Sequence, residues 1–516
     1  MRTTLRALRT LAPPLGYYLL TLALLAGVLG LDLGITRASR GSGVLVPAEV
    51  WGISSIVACL LLYGLFAGRG AGRDRPVGLR VSRQQQPDLW RLVERTAEAA
   101  GVRAPHTLRL ADGPELTLRQ GSQLLGLLPG RRHLCIGAPL LVGLTEQQLA
   151  ALLAQRLGPA RDADTPVPGL LRRNRATLVL VLQRYGDTSG AAPGPRRWFG
   201  AMYTGYARNC LRWSAPDARR LALAADRTAA RIAGRDTTVA ALRDERALTE
   251  LHHHYQYGYV RIGWDEGAYP LPAAVVPGFR DWLHGPTGQQ SLERLENDPP
   301  RERIPQHDAR PPLAERIARL QELPPGPPPG PSAPAESLLS DPQQTYARVV
   351  AAAPGVAERR QLPWDDLAGV AGQAELDAAA AGLLTSVASV LRHRPPDLPT
   401  ILDAIDEGRW AELADWIPRT GAARTVPVAV GRSLNLSTAT EGLHALVLGT
   451  LVRQGQARWT LDWRHGLQLN PTRTTQEALD AAVGPALDAA TASPPDTAPL
   501  RLLLQPEQES PPPAER

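Results

Sequence analysis

Two uncharged apolar runs near the N-terminus limit this chain more than any other feature. Leu11 to Leu31 and Val50 to Ala67 contain no charged residue, and each is close to the ~20 residues a helix needs to cross the hydrocarbon core of a bilayer. They are predicted to form a transmembrane hairpin within residues 1–75. A cleaved signal peptide is the rival for the first run, since Arg2, Arg6 and Arg9 precede it; the run is long for that role, and a second follows at once. Arg69, Arg73, Arg75 and Arg80 flank the exit of the second run, whereas the short loop offers Arg37 and Arg40, partly offset by Asp32 and Glu49. Positive residues gather on the cytoplasmic side. The expectation is a multi-pass protein of the cell membrane, with the bilayer as partner and both its N-terminus and its soluble region in the cytoplasm.

Composition narrows the soluble part. The chain has 516 residues, 44% hydrophobic and 21% charged, so it can bury real cores and is expected to hold more than one domain. Lysine is absent, so all 57 basic residues are arginine, a bias that fits a GC-rich bacterial genome. The pI near 9.6 raises the question of nucleic acid. A net charge of +7 with interspersed acids, and no basic stripe interleaved with aromatics, argues against it. Cys59, Cys135 and Cys210 are odd in number and widely spaced, which excludes a disulfide framework or a cysteine metal site. No Gly-rich phosphate loop or nucleophile elbow occurs.

Beyond the runs, Pro87 to Gly101 has Leu89, Leu92, Val93 and Ala97 at helical spacing. TLRLA (107–111) and HLCIG (133–137) read as strands of a small sheet. Residues 144–160, LTEQQLAALLAQRLGPA, begin as an amphipathic helix: Thr145 is the N-cap, Gln148 its capping-box partner, and Leu149, Leu152, Leu153 and Leu157 share a face. Pro159 is expected to end that helix at Gly158. PPGPPPGPSAP (324–334) marks a stiff boundary. After it come helical patterns at 344–354, 373–393, 398–417 and 440–455, then a hairpin over 458–470 that turns at His465 and Gly466. Trp416, Trp459 and Trp463 are either core anchors or the lining of a peptide cleft.

A zincin helix places His at i and i+4 on one face, so that both reach one ion, with Glu at i+1 polarising the bound water. Here those positions hold Gln155, Arg156 and Pro159. The order of segments nevertheless resembles the HtpX-like membrane zinc metalloproteases, relatives of the CaaX prenyl proteases. Two membrane spans, a helix and a short sheet precede LCIGAPLLVGLTEQQLAALLAQRLGPA, which looks like that family's strand and metal-binding helix. RRLALAADRTAARIAG (219–234) is similar to its second helix of E-x-x-A-D pattern, with Ala222 in the glutamate's place and Asp226 retained. IPQHDARPPLAERIARL (304–320) resembles its closing D-x-H-P-P-L-x-E-R-I segment, with Arg310 in place of the histidine. The resemblance covers residues 10–320.

What the resemblance implies is a protease fold with its chemistry removed. Both histidines, the glutamate base and the glutamate ligand are replaced, and Asp226 alone survives as a residue standing behind the ligands. Without N, S or carboxylate donors there is no reason for zinc to bind and no activated water. Other constellations are weaker. His252, His253 and His254 could offer two ligands, His252 and His254, if they lay on a strand; a packed aromatic surface with Tyr255, Tyr257 and Tyr259 is the alternative. Asp162 and Asp164 could touch a hard cation but read better as a solvated loop after the helix, and Cys135 and Cys210 could be nucleophiles but read better as structural thiols.

The expectation is an α+β, mostly α-helical protein: a transmembrane hairpin at 1–75, a metalloprotease-like domain at 76–323, a Pro-rich linker at 324–340, a helical region with a β-hairpin at 341–505 and a tail at 506–516. Its function is read as a membrane-anchored pseudoprotease that binds or scaffolds an extended peptide or a membrane protein, with no cofactor and no nucleic acid. A cleft beside the strand at His133 to Gly137 would take the peptide by edge pairing. The alternative is an active membrane zinc metalloendopeptidase with substitute ligands.

Overall fold

The computed structural model describes residues 78–123, 128–163, 195–297, 311–325, 332–392, 394–418 and 428–505, together with helical residues at 19, 22–23, 25–39, 54–55, 175, 178–179 and 182. The protein is mostly helical with small sheets. Most of the two apolar runs, Cys59, Asp164 and Arg310 lie outside the described residues. Among those described, no helix is long and apolar enough to cross a membrane. The helix at 25–39 continues past Leu31 through Asp32 and Arg37 into the expected loop.

Two compact units divide the chain. One comprises residues 1–252, 276–284 and 288–354; the other comprises 253–275, 285–287 and 355–516. The division therefore falls at Pro354/Gly355 and not at the Pro-rich stretch. The physical reason is local. Residues 332–335 dock on the start of a helix whose first N–H groups have no partner within it: Glu146 N–H donates to Ala333 O at 2.9 Å and Gln147 N–H to Ser332 Oγ at 3.2 Å, while Ala335 N–H donates to Leu144 O at 2.8 Å.

The first unit is built on a four-stranded sheet of order β1-β2-β4-β3, with β1 Leu79–Val81, β2 Thr107–Ala111, β3 Leu116–Gln123 and β4 Leu128–Gly137. β2 and β4 are parallel; β1 and β3 run antiparallel on the two edges. The strands expected at 107–111 and 133–137 are present, and the latter starts earlier. Helices α1 Pro87–Ala99, α2 Ala138–Gly143, α3 Glu146–Ala163, α4 Pro195–Trp213, α5 Ala215–Ala233, α6 Arg235–Tyr255, α7 Pro272–His284, α8 Pro286–Asn297, α9 Leu313–Gln321 and α10 Pro342–Ala351 follow in chain order. In α1, Leu89, Leu92, Val93 and Ala97 are buried, joined by Trp90.

Helix α3 differs from expectation in two ways. Ala151 and Ala154 are as fully buried as Leu149, Leu152, Leu153 and Leu157, so it is a central helix covered on several sides and not an amphipathic one. It also runs through Pro159 to Ala163. The proline withholds one donor from the preceding turn, and burial of the rest of the helix outweighs that loss. Its close partner is α5: a Cβ on Gly158 would lie 3.1 Å from Thr228 Cβ.

In the second unit, α11 Trp364–Val390 and α14 Val428–Arg453 pack along each other. Small residues allow it, since a Cβ on Gly442 would meet Leu383 Cβ at 3.0 Å. Leu383, Val387, Ile401, Leu413, Leu443 and Val447 make a fully buried core, closed by α12 Leu398–Asp406, α13 Trp410–Asp415, α15 Gln476–Thr491 and α16 Ala498–Leu503. The single helix expected at 398–417 is broken at Gly408, whose φ of 75° favours glycine. The expected hairpin is β7 Ala457–Asp462 with β8 Gly466–Pro471. Short strands β5 Ala268–Pro270 and β6 Arg360–Leu362 pair in parallel, and α6 ends in a π-helical turn, Gln256–Val260.

Two outcomes follow from this packing. A Cβ on Gly372 would sit 2.1 Å from the Trp459 ring, whereas one on Gly369 would meet nothing within 4 Å. Gly372→Ala should therefore cost about 1–3 kcal/mol by overpacking, and Gly369→Ala should be neutral or gain up to ~1 kcal/mol as a helical glycine is removed; urea unfolding followed by tryptophan fluorescence distinguishes them. Burial on α14 pushes the His444 imidazole below its ordinary value, against Asp480. Its folded pKa then lies below the unfolded one, so stability is full above pH ~6.5 and falls as the pH drops through the lower folded value. His444→Gln should flatten that acid limb in pH-dependent melting.

Candidate functional site

Gln155 and Arg156 lie on the buried helix α3, and their side chains meet each other. The helix starts as predicted: Thr145 N–H donates to Gln148 Oε1 at 2.9 Å and Gln148 N–H to Thr145 Oγ1 at 3.3 Å, a reciprocal capping box. Three turns on, Gln155 is buried and donates through Nε2 to Asp226 Oδ1 on α5 at 2.9 Å. Asp226 also receives Arg316 of α9, from Nε to Oδ2 at 2.9 Å and from Nη2 to Oδ1 at 2.8 Å. The Asp226 side chain is 2% exposed and that of Arg316 11%. This is a bidentate, largely buried ion pair.

Arg156 extends the network the other way. It donates through Nη1 to Gln155 Oε1, through Nε to the Leu116 carbonyl of β3 at 2.8 Å, and through Nη2 to Glu245 Oε1 of α6 at 2.6 Å. Glu245, Arg156, Gln155, Asp226 and Arg316 thus form one chain of alternating donors and acceptors linking α6, α3, α5 and α9 to the sheet. Arg219 and Glu315 pair beside it. Ala222, half-buried, lies one turn before Asp226 on α5 and adds no polar atom.

The chemistry of this set does not fit zinc. Gln155 is a neutral amide, Arg156 a permanent cation, and both oxygens of Asp226 already accept N–H donors. Among the described residues, no group of three or more His, Cys, Asp or Glu has the arrangement of a metal site. The strand geometry that would let His252 and His254 share a face is not adopted: both belong to helix α6, where residues two apart point about 200° apart. His252 is buried edge-on against Phe279 at 5.5 Å, and His254 is exposed, edge-on to Tyr259 at 6.4 Å. Asp162 lies inside α3, not in a loop after it.

Three further expectations meet the structure here. β4 is an interior strand, paired over His133 to Gly137 with β2 on one side and over His133 to Ile136 with β3 on the other, so no peptide can add to it; the edge strands are β1 and β3. The tryptophans have separate surroundings. Trp416 is exposed, Trp459 packs on Gly372, and Trp463 joins Trp364, Tyr255 and Tyr259 in an aromatic cluster. Burial raises the thiol pKa of both Cys135 and Cys210, so neither has the lowered pKa of a catalytic thiolate. Glu245 and the Leu116 carbonyl were missed by the sequence reading. The signal was a buried arginine in need of a carboxylate, with many carboxylates to choose from.

Asp226→Ala leaves Arg316 without its counter-charge in a water-poor site and should cost about 3–5 kcal/mol. Glu94→Ala, which breaks the exposed pair with Arg83, should cost no more than ~1 kcal/mol; denaturant midpoints compare the two. No family model, no curated protein and no solved structure matches this chain.

Proposed function

We propose that this protein is a membrane-anchored pseudoprotease of HtpX-like descent, in which a closed ion-pair network stands where the zinc site would be, and that it acts by binding or scaffolding. The observation that carries the reading is the Asp226–Arg316 pair. Asp226 comes from the AAD segment and Arg316 from the PPLAERI segment, the two pieces outside the helix that resemble the family, and they meet at Gln155. All three segments on which the resemblance rests thus meet at one buried carboxylate, which supports the reading.

Support for the anchor comes from the same two apolar runs. Leu29, Leu31 and Leu33 are exposed on the helix at 25–39, where an aqueous surface would be costly and hydrocarbon would not. Ser54 Oγ of the second run donates to Asp32 Oδ1 at 2.6 Å, a contact a hairpin would make. In this reading the N-terminus and the soluble region are cytoplasmic, zinc is not held, and the partner is an extended peptide or a membrane protein, with the edge strand β3 and not β4 as the place for pairing.

Zinc content of the untagged, detergent-purified chain is the test. The expected result is well below one zinc per chain, with no peptide cleavage. About one tightly held zinc per chain, together with cleavage lost on chelation, would overturn the reading in favour of a membrane zinc metalloendopeptidase with substitute ligands.

A further inference from the structure

The sheet of the first unit has two faces of opposite character, and its register fixes them. Leu110, Ile136 and Leu116 form one cross-strand row, and Val81, Leu108 and Leu134 the next; all six are buried. Side chains alternate along a strand, so the rows between these point the other way. One such row is Arg80, Arg109, Cys135 and Thr117; the next is Thr107, His133 and Arg119. Arg131 follows on the same side of β4. Arg80, Arg119 and Arg131 are exposed, and Arg109 and His133 are half-buried.

These arginines are unlike those around them. In and beside α1, Arg91 pairs with Asp88 and Arg83 with Glu94. Arg80, Arg109, Arg119 and Arg131 have no carboxylate partner among the described residues, and Arg109 gives one donor to the Gly78 carbonyl. Glu115 lies near Cys135 at the end of the face. The positive field registers on His133, whose imidazole is pushed down first by burial and then by Arg109, His106, Arg131 and Arg80. Guanidinium forks suit phosphate oxygens. The face carries no Phe, Tyr or Trp on which a nucleobase could stack, which favours a phosphate surface over a single-stranded nucleic acid.

Chain length sets where such a surface would be. Leu79 is twelve residues beyond Ala67, the end of the second apolar run, so at most about 40 Å of extended chain separates β1 from that run. We propose that this arginine face of the sheet docks on anionic phospholipid headgroups of the membrane that holds the chain. The proposal rests on the membrane-anchor reading above. Docking would orient the first unit over the bilayer and turn its other, helix-covered side toward the cytoplasm.

Cys135, half-exposed in the middle of the face, is a built-in reporter. The full chain is reconstituted in bilayers of phosphatidylcholine alone or enriched in phosphatidylglycerol, and modification of Cys135 by a water-soluble maleimide is followed by mass spectrometry; carbonate extraction of the same vesicles reports anchoring. The expected result is modification several-fold slower in the anionic bilayer, restored by high salt and by the triple variant Arg80→Gln, Arg119→Gln, Arg131→Gln. Each arginine contributes roughly five-fold to adsorption on an anionic surface, so the triple variant should adsorb about a hundred-fold more weakly. Equal rates in both bilayers for a carbonate-resistant chain would overturn the proposal and leave the anchor standing. A carbonate-extracted chain would end the anchor reading, and arginine-dependent flotation with anionic vesicles would then decide the face alone, its absence counting against. Protection of Cys135 by an oligonucleotide but not by lipid would also sink the proposal.

Discussion

Asp226 is a carboxylate almost wholly removed from water, and the first unit is arranged around the need to neutralise it. An isolated buried charge is prohibitively expensive, so both carboxylate oxygens must be met by donors. Arg316 supplies two parallel N–H groups and Gln155 a third. Gln155 can face Asp226 only if α3 lies against α5, and Arg316 can reach it only if α9 closes over both. One carboxylate thus fixes the approach of three helices. The glycine at 158 is part of the same constraint, because a side chain there would press on Thr228 just where α3 and α5 must come close.

The second half of the network applies the same rule to a cation. Arg156 sits at the position where, in the descent proposed here, a glutamate base would stand, and its charge is met by Glu245, with the Leu116 carbonyl taking a further donor. A guanidinium differs from a metal ion in what it leaves behind. It saturates oxygen lone pairs through fixed N–H groups and offers no open coordination position at which water could be activated. It also ties α3 to β3, an edge strand, so that one backbone acceptor of that edge is already taken. A ligand that pairs with β3 would have to do so beyond Leu116 or displace the arginine.

Legibility in the sequence followed the range of the interactions. The capping box at Thr145 and Gln148, the strand at 107–111 and the hairpin that turns at Gly466 depend on residues a few positions apart, and each stands where pattern placed it. β1 and β3 escaped notice because one is three residues long and the other, LTLRQGSQ, turns polar halfway. The two compact units divide at Pro354/Gly355, which no composition marks: the proline-rich character of 324–334 is a local property, whereas the docking of 332–335 on the start of α3 is a demand of that helix's unpaired N–H groups. Membership of residues 253–275 in the second unit rests on the pairing of β5 with β6 some ninety residues later, which no local pattern announces. Gln155 and Arg156 were found as departures from a template, but only the packed helices show that they are bonded to each other.

That bonding bears on how Gln155, Arg156 and Ala222 are to be understood if the proposed descent holds. A site that had merely lost its metal would keep buried groups shaped for an ion, each unmet donor or acceptor costing about 1–3 kcal/mol. Gln155 instead uses its amide nitrogen on Asp226 and its oxygen on Arg156, and Arg156 divides its donors among an amide, a carbonyl and a carboxylate. Ala222 adds no polar atom that would need a partner. Gln155 and Arg156 therefore depend on each other: changing Arg156 alone would strand Glu245, and changing Gln155 alone would leave Asp226 one donor short and Arg156 one acceptor short. Such mutual satisfaction is what a buried polar network needs in order to rigidify a core and not weaken it, and it gives this helix a structural role that requires no metal.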